Sequence, residues 1–197
     1  MEAVPRLIRA QGYAATSVDD ICHRAGVKKG SFFYHFKSKD ELAVAALSHF
    51  LAWTDEYFAA AAYRTLKDPL DRLFGYVDFR VKMIQGELPD YTCPFGTILQ
   101  ETYATHPAIR EACDRAMTSH IEYLTRDVQA AKELYAPLAA WTSESVSNLI
   151  QVVLQGSFIL AKAKQGPDVV LESLEHLRRY LGFLFNQTMV ENREGKT

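Results

Sequence analysis

The sequence predicts an all-α protein: an N-terminal three-helix helix-turn-helix head followed by a larger helical body, about nine helices in total. Three observations predict it. Apolar residues recur at helical spacing along most of the 197 residues, and no stretch alternates as a strand would. Two capping boxes, Ser17-x-x-Asp20 and Ser38-x-x-Glu41, frame a short basic segment. Prolines then punctuate the remainder at helix starts and in loops.

The head is justified element by element. A first helix is expected to open near Pro5, whose fixed φ suits a first turn, and to end before Gly12. Ser17 caps a second helix with Asp19 and Asp20 in its first turn, where negative charge meets the positive end of the helix dipole. Val18, Ile21, Cys22 and Ala25 share one face, and Gly26 suits the left-handed turn that follows. Lys28 to Phe36 is long enough only for a short helix. Phe32 and Phe36, four apart, share its buried face, leaving Lys28, Lys29, Ser31 and Tyr34 or His35 outside. Gly30 lowers helix propensity but lets a backbone approach closely. Ser38 opens a helix through Leu42, Ala45, Ala46 and Phe50. This order is how a helix-turn-helix offers one short helix to the major groove of DNA.

Charge agrees locally. The whole chain carries a net −2. Residues 1–46 hold Arg6, Arg9, Arg24, Lys28, Lys29, Lys37 and Lys39 against five acidic residues, whereas the rest is net acidic. Arg24 to Lys39 contains five basic residues and no acidic one. A solvated helical face would have the same composition. The coincidence of the patch with a turn and two caps favours a phosphate-bearing partner.

The body follows from its punctuation. Pro69 opens a helix carrying Leu70, Leu73, Phe74, Val77, Val81 and Ile84. Gly86 to Pro94 reads as a loop, and a short helix runs from about Phe95 to Tyr103. Pro107 opens a long helix with Ile109, Ala112, Cys113, Ala116, Met117, His120, Ile121, Leu124 and Val128 on one side. Trp141–Lys164 follows Pro137, and Gly166-Pro167-Asp168 turns into a last helix from Val169 to about Val190. A polar tail begins at Glu191. Two units are expected, residues 1–47 and 48–197. No apolar run reaches a bilayer-spanning length and no signal-peptide pattern is present, so a cytoplasmic location is expected. Cys22, Cys93 and Cys113 cannot all pair in one chain, and no cysteine or histidine cluster suggests a metal; no cofactor is expected.

The segment around the short basic helix resembles the DNA-binding domain of the TetR family of bacterial transcriptional regulators. The matching pieces are Gly12-Tyr13, Thr16-Ser17-Val18, Ile21, Ala25-Gly26-Val27, Gly30-Ser31, Tyr34-His35-Phe36 and Lys37-Ser38-Lys39-Asp40-Glu41-Leu42. The resemblance implies that Lys28–His35 enters the major groove, with Lys28, Lys29, Gly30 and Ser31 nearest base edges. It implies that Ser17, Tyr34, His35 and Lys39 hold phosphates. Phe33 stands where the family often has Tyr, and the segment before Gly12 is shorter than its usual first helix.

The last two long helices are apolar on more than one side. Leu149, Val153, Gly156 and Leu160, with Leu174, Leu177 and Leu181, are either central core or a surface for a partner helix. In the family the matching helices form a four-helix dimer interface, so a homodimer is expected. The family plan also implies a small-molecule inducer, with Phe79, Met83, Cys93, Phe95, Leu99, Tyr103, Met117 and His120 as candidate lining. His120, alone on an apolar helical face, reads sooner as a hydrogen-bonded core residue than as a ligand contact. Cys93 lies before a helix start, where a thiol gains thiolate character, or is inert and half-buried. The expected function is a ligand-responsive regulator, a repressor that binds a palindromic operator as a dimer. Two alternatives stand beside it: a repressor triggered by redox chemistry or electrophiles at Cys93, and a helical ligand-binding protein without DNA binding. No nucleophile elbow, phosphate loop or metalloprotease motif argues for an enzyme.

Overall fold

The protein is described here by a computed structural model covering residue 1 and residues 3–185. Among the described residues it is helical throughout, with ten α-helices and one 3-10 turn. The head comprises α1 (Ala3–Gln11), α2 (Val18–Ala25) and α3 (Lys29–His35). The long α4 (Lys39–Ala59) leaves the head and enters the body without a break at residue 47. The body continues with a 3-10 turn (Ala62–Thr65), α5 (Pro69–Lys82), α6 (Leu88–Tyr91), α7 (Pro94–Thr102), α8 (Pro107–Tyr135), α9 (Ser143–Lys164) and α10 (Asp168–Leu184).

The capping residues act as the sequence requires. Ser17 Oγ accepts from Asp20 N at 3.0 Å while Ser17 N donates to Asp20 Oδ2 at 2.8 Å. Ser38 Oγ accepts from Glu41 N at 3.1 Å. Gly26 takes φ +68°, and Val27 N donates back to Cys22 O at 3.0 Å to close α2. Two elements differ from expectation. The supposed loop 86–94 contains the single turn α6, fixed by Pro89 in its first turn and by Glu87 N donating to Asp90 at 2.9 Å. α9 starts at Ser143 rather than Trp141 because Thr142 caps it, accepting from Ser145 N at 3.1 Å. The end of the last expected helix and the tail from Glu191 lie outside the described residues.

Burial divides the interior into two clusters. One fills the body between α5, α8, α9 and α10, with Tyr76, Leu124, Ile150, Leu154, Leu174 and Leu181 almost wholly enclosed. The other begins in the head with Ile8, Tyr13, Ile21, Phe32 and Leu47, and runs on into Phe95 and Ile98 of α7 and Ile109, Cys113 and Ala116 of α8. The core of the head is therefore continuous with part of the body's. Asp127 is buried in the body yet fully partnered: Arg64 pairs with one oxygen and Arg72 Nε with the other at 2.7 Å. That pairing fastens the 3-10 turn and α5 to α8.

By length and a mean hydropathy of 1.3, α9 is apolar enough to cross a bilayer. This differs from the expectation of no such run, because Lys162 and Lys164 lie at one end of the helix and leave its centre uncharged. Its inner face is packed: Val146, Ile150, Leu154, Phe158 and Ala161 are buried.

Candidate functional site

The short helix α3 buries one residue, Phe32, which stacks edge-on to Phe33 and tilts against Phe36. Every other residue from Lys28 to His35 is exposed. Tyr34 is 84% exposed and Phe33 55%, large apolar surface that only an outside partner would cover. A Cβ at Gly30 would meet open space, so the backbone there is free to approach a flat or grooved surface. Ser17 sits beside this helix at the start of α2 and is also exposed. Lys28, Lys29, Gly30, Ser31, Tyr34 and His35 thus form one outward surface.

Two of the basic residues are already engaged. Lys29 Nζ lies 2.9 Å from Asp19, an exposed pair that tethers α3 to α2. Lys39 Nζ donates to the carbonyls of Tyr13 at 3.0 Å and Thr16 at 3.1 Å and lies 4.1 Å from the centre of the Tyr13 ring. Tyr13 OH in turn donates to Asp40. Lys39 is therefore first a clasp on the loop between α1 and α2, with a third proton left for a phosphate.

The head is held to the body by α6 and α7 as well as by α4. Glu101 of α7 accepts from Tyr13 N at 3.0 Å and Ala14 N at 2.8 Å. Its carboxylate occupies the space where a Cβ on Gly12 would stand, and Gly12 has φ +86°, so this close approach needs glycine twice over. Arg6 pairs with Asp90 of α6, and Arg9 Nη1 donates to Thr92 O at 3.2 Å. Helix α1 is thereby docked on the segment that precedes α7.

Behind this seam lies a cavity of about 200 Å³. Its walls come from α1 (Arg9), α4 (Phe50, Trp53, Thr54, Phe58), α5 (Arg80) and Met83 just after it, the 90–95 segment, α8 (Met117, His120) and α9 (Gln151, Gln155, Phe158). The Tyr76 hydroxyl and His120 Nε2 share a hydrogen bond of 2.9 Å at its inner end. Burial, helped by the nearby positive charge of Arg80, pushes His120 down to about 3, so this imidazole is neutral. Burial lowers Arg9 to about 10, which still leaves it charged near neutrality. Cys93 caps α7, its Sγ accepting from Gly96 N at 3.4 Å, and opens onto the cavity.

Of the expected lining, Met83, Cys93, Phe95, Met117 and His120 meet around this space. Phe79, Leu99 and Tyr103 do not. Phe79 packs into an aromatic cluster with Tyr57, Phe58 and Tyr63. α7 turns Phe95, Ile98 and Thr102 inward, which leaves Leu99 half-buried at its flank against the neighbouring core and Tyr103, just past its end, exposed. There they border an open groove with Arg110, Glu111 and Asp114. Arg9, Phe50, Trp53, Phe58, Arg80 and the two glutamines were not anticipated. Arg80 carried a signal: it continues the apolar stripe Leu73, Tyr76, Val77 of α5, which runs on to Ile84 beyond the helix end, and a charge is out of place there.

The last helices also sort differently from expectation. Leu174, Leu177 and Leu181 are buried in the protomer's own core, so they are not available to a partner. Their side of α10 faces α5 and α9. The outward face instead carries Phe183 at 78% and Tyr180 at 44% exposure. On α9, Gly156 and Leu160 are exposed, Leu149 and Val153 are half-buried, and Val152 and Ile159 join them at the surface. Among the described residues no cluster of His, Cys, Asp or Glu is arranged to hold a metal ion.

Comparison with known proteins gives a consistent result over both units. Residues 1–46 match a family model described as bacterial regulatory proteins, tetR family. Residues 69–175 match one described as transcriptional regulator LmrA/YxaF-like, C-terminal domain. An uncharacterised HTH-type transcriptional regulator from the lacX 3′ region of Lactococcus lactis subsp. lactis is 28% identical, over 90% of this chain and 89% of its own length. The HTH-type transcriptional repressor KstR2 of Mycobacterium tuberculosis is 37% identical over 38% of this chain and 37% of its own. The regulatory protein TetR from Rhodobacter sphaeroides superposes with a TM-score of 0.78 at 20% identity, covering 93% of this chain and 97% of that one, which establishes the shared fold.

Proposed function

We propose, from the premise that this chain belongs to the TetR family of bacterial transcriptional regulators, that it is a cytoplasmic repressor: a homodimer that holds a palindromic operator and releases it when a small molecule enters the cavity. The observation that carries this reading is the position of the cavity. It is walled by α1 of the head, by α4, which runs from the head into the body, and by the 90–95 segment on which α1 is docked. A ligand there has to touch elements that set the angle of α3.

The physical requirement is differential affinity. A ligand that binds better when α1 and α4 are displaced shifts the population toward heads spaced wrongly for DNA. α4 is one lever, rigid from Lys39 to Ala59; the Glu101 and Arg6–Asp90 contacts are a second. DNA contact is assigned to Lys28, Lys29, Gly30 and Ser31 toward bases, and Ser17, Tyr34, His35 and Lys39 toward phosphates. Dimerisation is assigned to the outward face of α9 around Val152, Gly156, Ile159 and Leu160, with Phe183 of α10. Two recognition helices fixed by such an interface read half-sites about one helical turn or more apart.

The test is selection of bound duplexes from a random pool by the purified protein. Enrichment of an inverted repeat, with affinity that falls steeply as salt rises, supports the reading. Failure to enrich any sequence at low salt overturns it.

A further inference from the structure

The cavity has an electrostatic character that an apolar ligand does not explain. Arg80 projects into it between Phe58 and Phe158, its guanidinium carbon 5.5 Å and 5.9 Å from the two ring centres. Its Nε is buried and has no hydrogen-bond partner, and among the described residues no carboxylate or other acceptor pairs with this guanidinium. At the head end, Arg9 stands over Phe50 at 5.4 Å with its own Nε buried and unpartnered. The one carboxylate of the wall, Asp90, is taken by Arg6. His120 is hydrogen-bonded to Tyr76 and, as an imidazole, supplies no negative charge. Arg80 is half-buried with its Nε enclosed and unpaired, so an anion entering the cavity would complete it.

We propose that the cavity takes a small aromatic carboxylate, its carboxylate paired with Arg80 and its ring lying among Phe58, Met83 and Phe158, with Arg9 adding a second positive charge at the head end. The chemistry follows from what is present. Guanidinium presents two parallel N–H donors that match a carboxylate, and the aromatic walls stack on a flat ring. At a packing density of ~0.75, a cavity of about 200 Å³ holds roughly 150 Å³ of ligand, about the bulk of a bicyclic aromatic acid. A ligand anion drawn between a body helix and α1 also gives a direct route from binding to the head. The proposal rests on reading this cavity as the inducer site, yet its test needs no DNA, so the two fail separately.

Three probes of one shape separate the charge from the ring: 2-naphthoate, neutral 2-naphthamide and cationic 2-naphthylmethylammonium. Calorimetric titration of the DNA-free protein is expected to give naphthoate an advantage of about tenfold or more over the amide, as charge-assisted pairing requires. Arg80→Gln is expected to abolish that advantage, whereas Arg80→Lys keeps a preference for the anion at lower affinity. A thermal melt establishes that each variant is folded; if Arg80→Gln is not, the wild-type ranking and Arg80→Lys decide. Equal or tighter binding of the amide or the amine, no naphthoate binding at millimolar concentration, or an unchanged preference in folded Arg80→Gln overturns the proposal.

Discussion

Single side chains do more than one task in this protein, and Lys39 is the clearest case. It belongs to the basic patch, but two of its protons are given to the carbonyls of Tyr13 and Thr16. Lys39→Ala is therefore expected to lower stability by roughly 1–2 kcal/mol, since a charge-assisted bond is lost at a half-exposed site, and to weaken all DNA sequences alike. Lys29→Ala, on the exposed helix, is expected to alter base preference by roughly 1–3 kcal/mol with little change in melting temperature. Gel-shift titrations against selected and scrambled duplexes, with melts of both variants, check this; matching effects in the two variants would sink the distinction. His120 gives a second residue-scale test. Unfolded histidine takes a proton below about pH 6.5, whereas folded His120 resists until about 3. Unfolding then takes up a proton in that window, so stability falls as pH drops through it. The expected loss is roughly 2 kcal/mol between about pH 7 and about pH 5. Urea titrations of wild type and His120→Gln measure it, and an equal loss in the variant would refute the assignment.

At the scale of elements, the decisive contacts are those between α7 and the turn after α1. Glu101 supplies acceptors to two head amides, and Gly12 leaves it room. Glu101→Ala is expected to speed hydrogen exchange at Tyr13 and Ala14 while leaving the α8–α9 core protected. Unchanged exchange at those two amides would show that α4 alone carries the head. The outward face of α9 makes a separate prediction. A Cβ at Gly156 meets nothing within 4 Å and the residue is exposed, so a longer side chain there starts out into open space. Gly156→Arg is expected to fold normally and sediment as a monomer, because an unpaired charge in a close-packed interface is costly. A folded dimer of unchanged affinity would place the interface elsewhere.

At the scale of the whole molecule, head and body share one apolar cluster that runs from Ile8 and Leu47 to Ile98 and Cys113. A packed interior is bistable and not continuously deformable, so displacement at the cavity is passed to the head as a discrete shift. Cys93 lies on the cavity wall at the start of α7, where covalent capture of an electrophile and reversible filling of the cavity would move the same helix. Cys93→Ser keeps size and removes thiolate chemistry. Release of DNA from wild type but not from Cys93→Ser under electrophile challenge would establish covalent sensing; equal responses would leave the cavity alone as the trigger. With reversible filling as the working mechanism, equal responses are the expected result.

The sequence alone determined what local rules decide. The capping box at Ser17, the side-chain cap at Ser38, whose expected partner Glu41 accepts from Lys37 N instead of closing a box, the left-handed turn at Gly26 and the outward set Lys28 to Ser31 all depend on neighbours a few residues away. Periodicity likewise gave the helical body, while the cavity residues were only implied by the family resemblance. Tertiary structure decided the rest. An apolar stripe states that a face is covered but not by what, so Leu174, Leu177 and Leu181 went to the protomer core and Val152 and Ile159 to the surface. A nine-residue helix such as α7 is so short that its neighbours choose its rotation, which set Leu99 against the neighbouring core away from the cavity and left Tyr103, just past its end, exposed. The cavity's charge lay furthest from view. Arg9 and Arg80 are 71 residues apart in the sequence, and only the docking of α1 against the body brings both guanidiniums to one space.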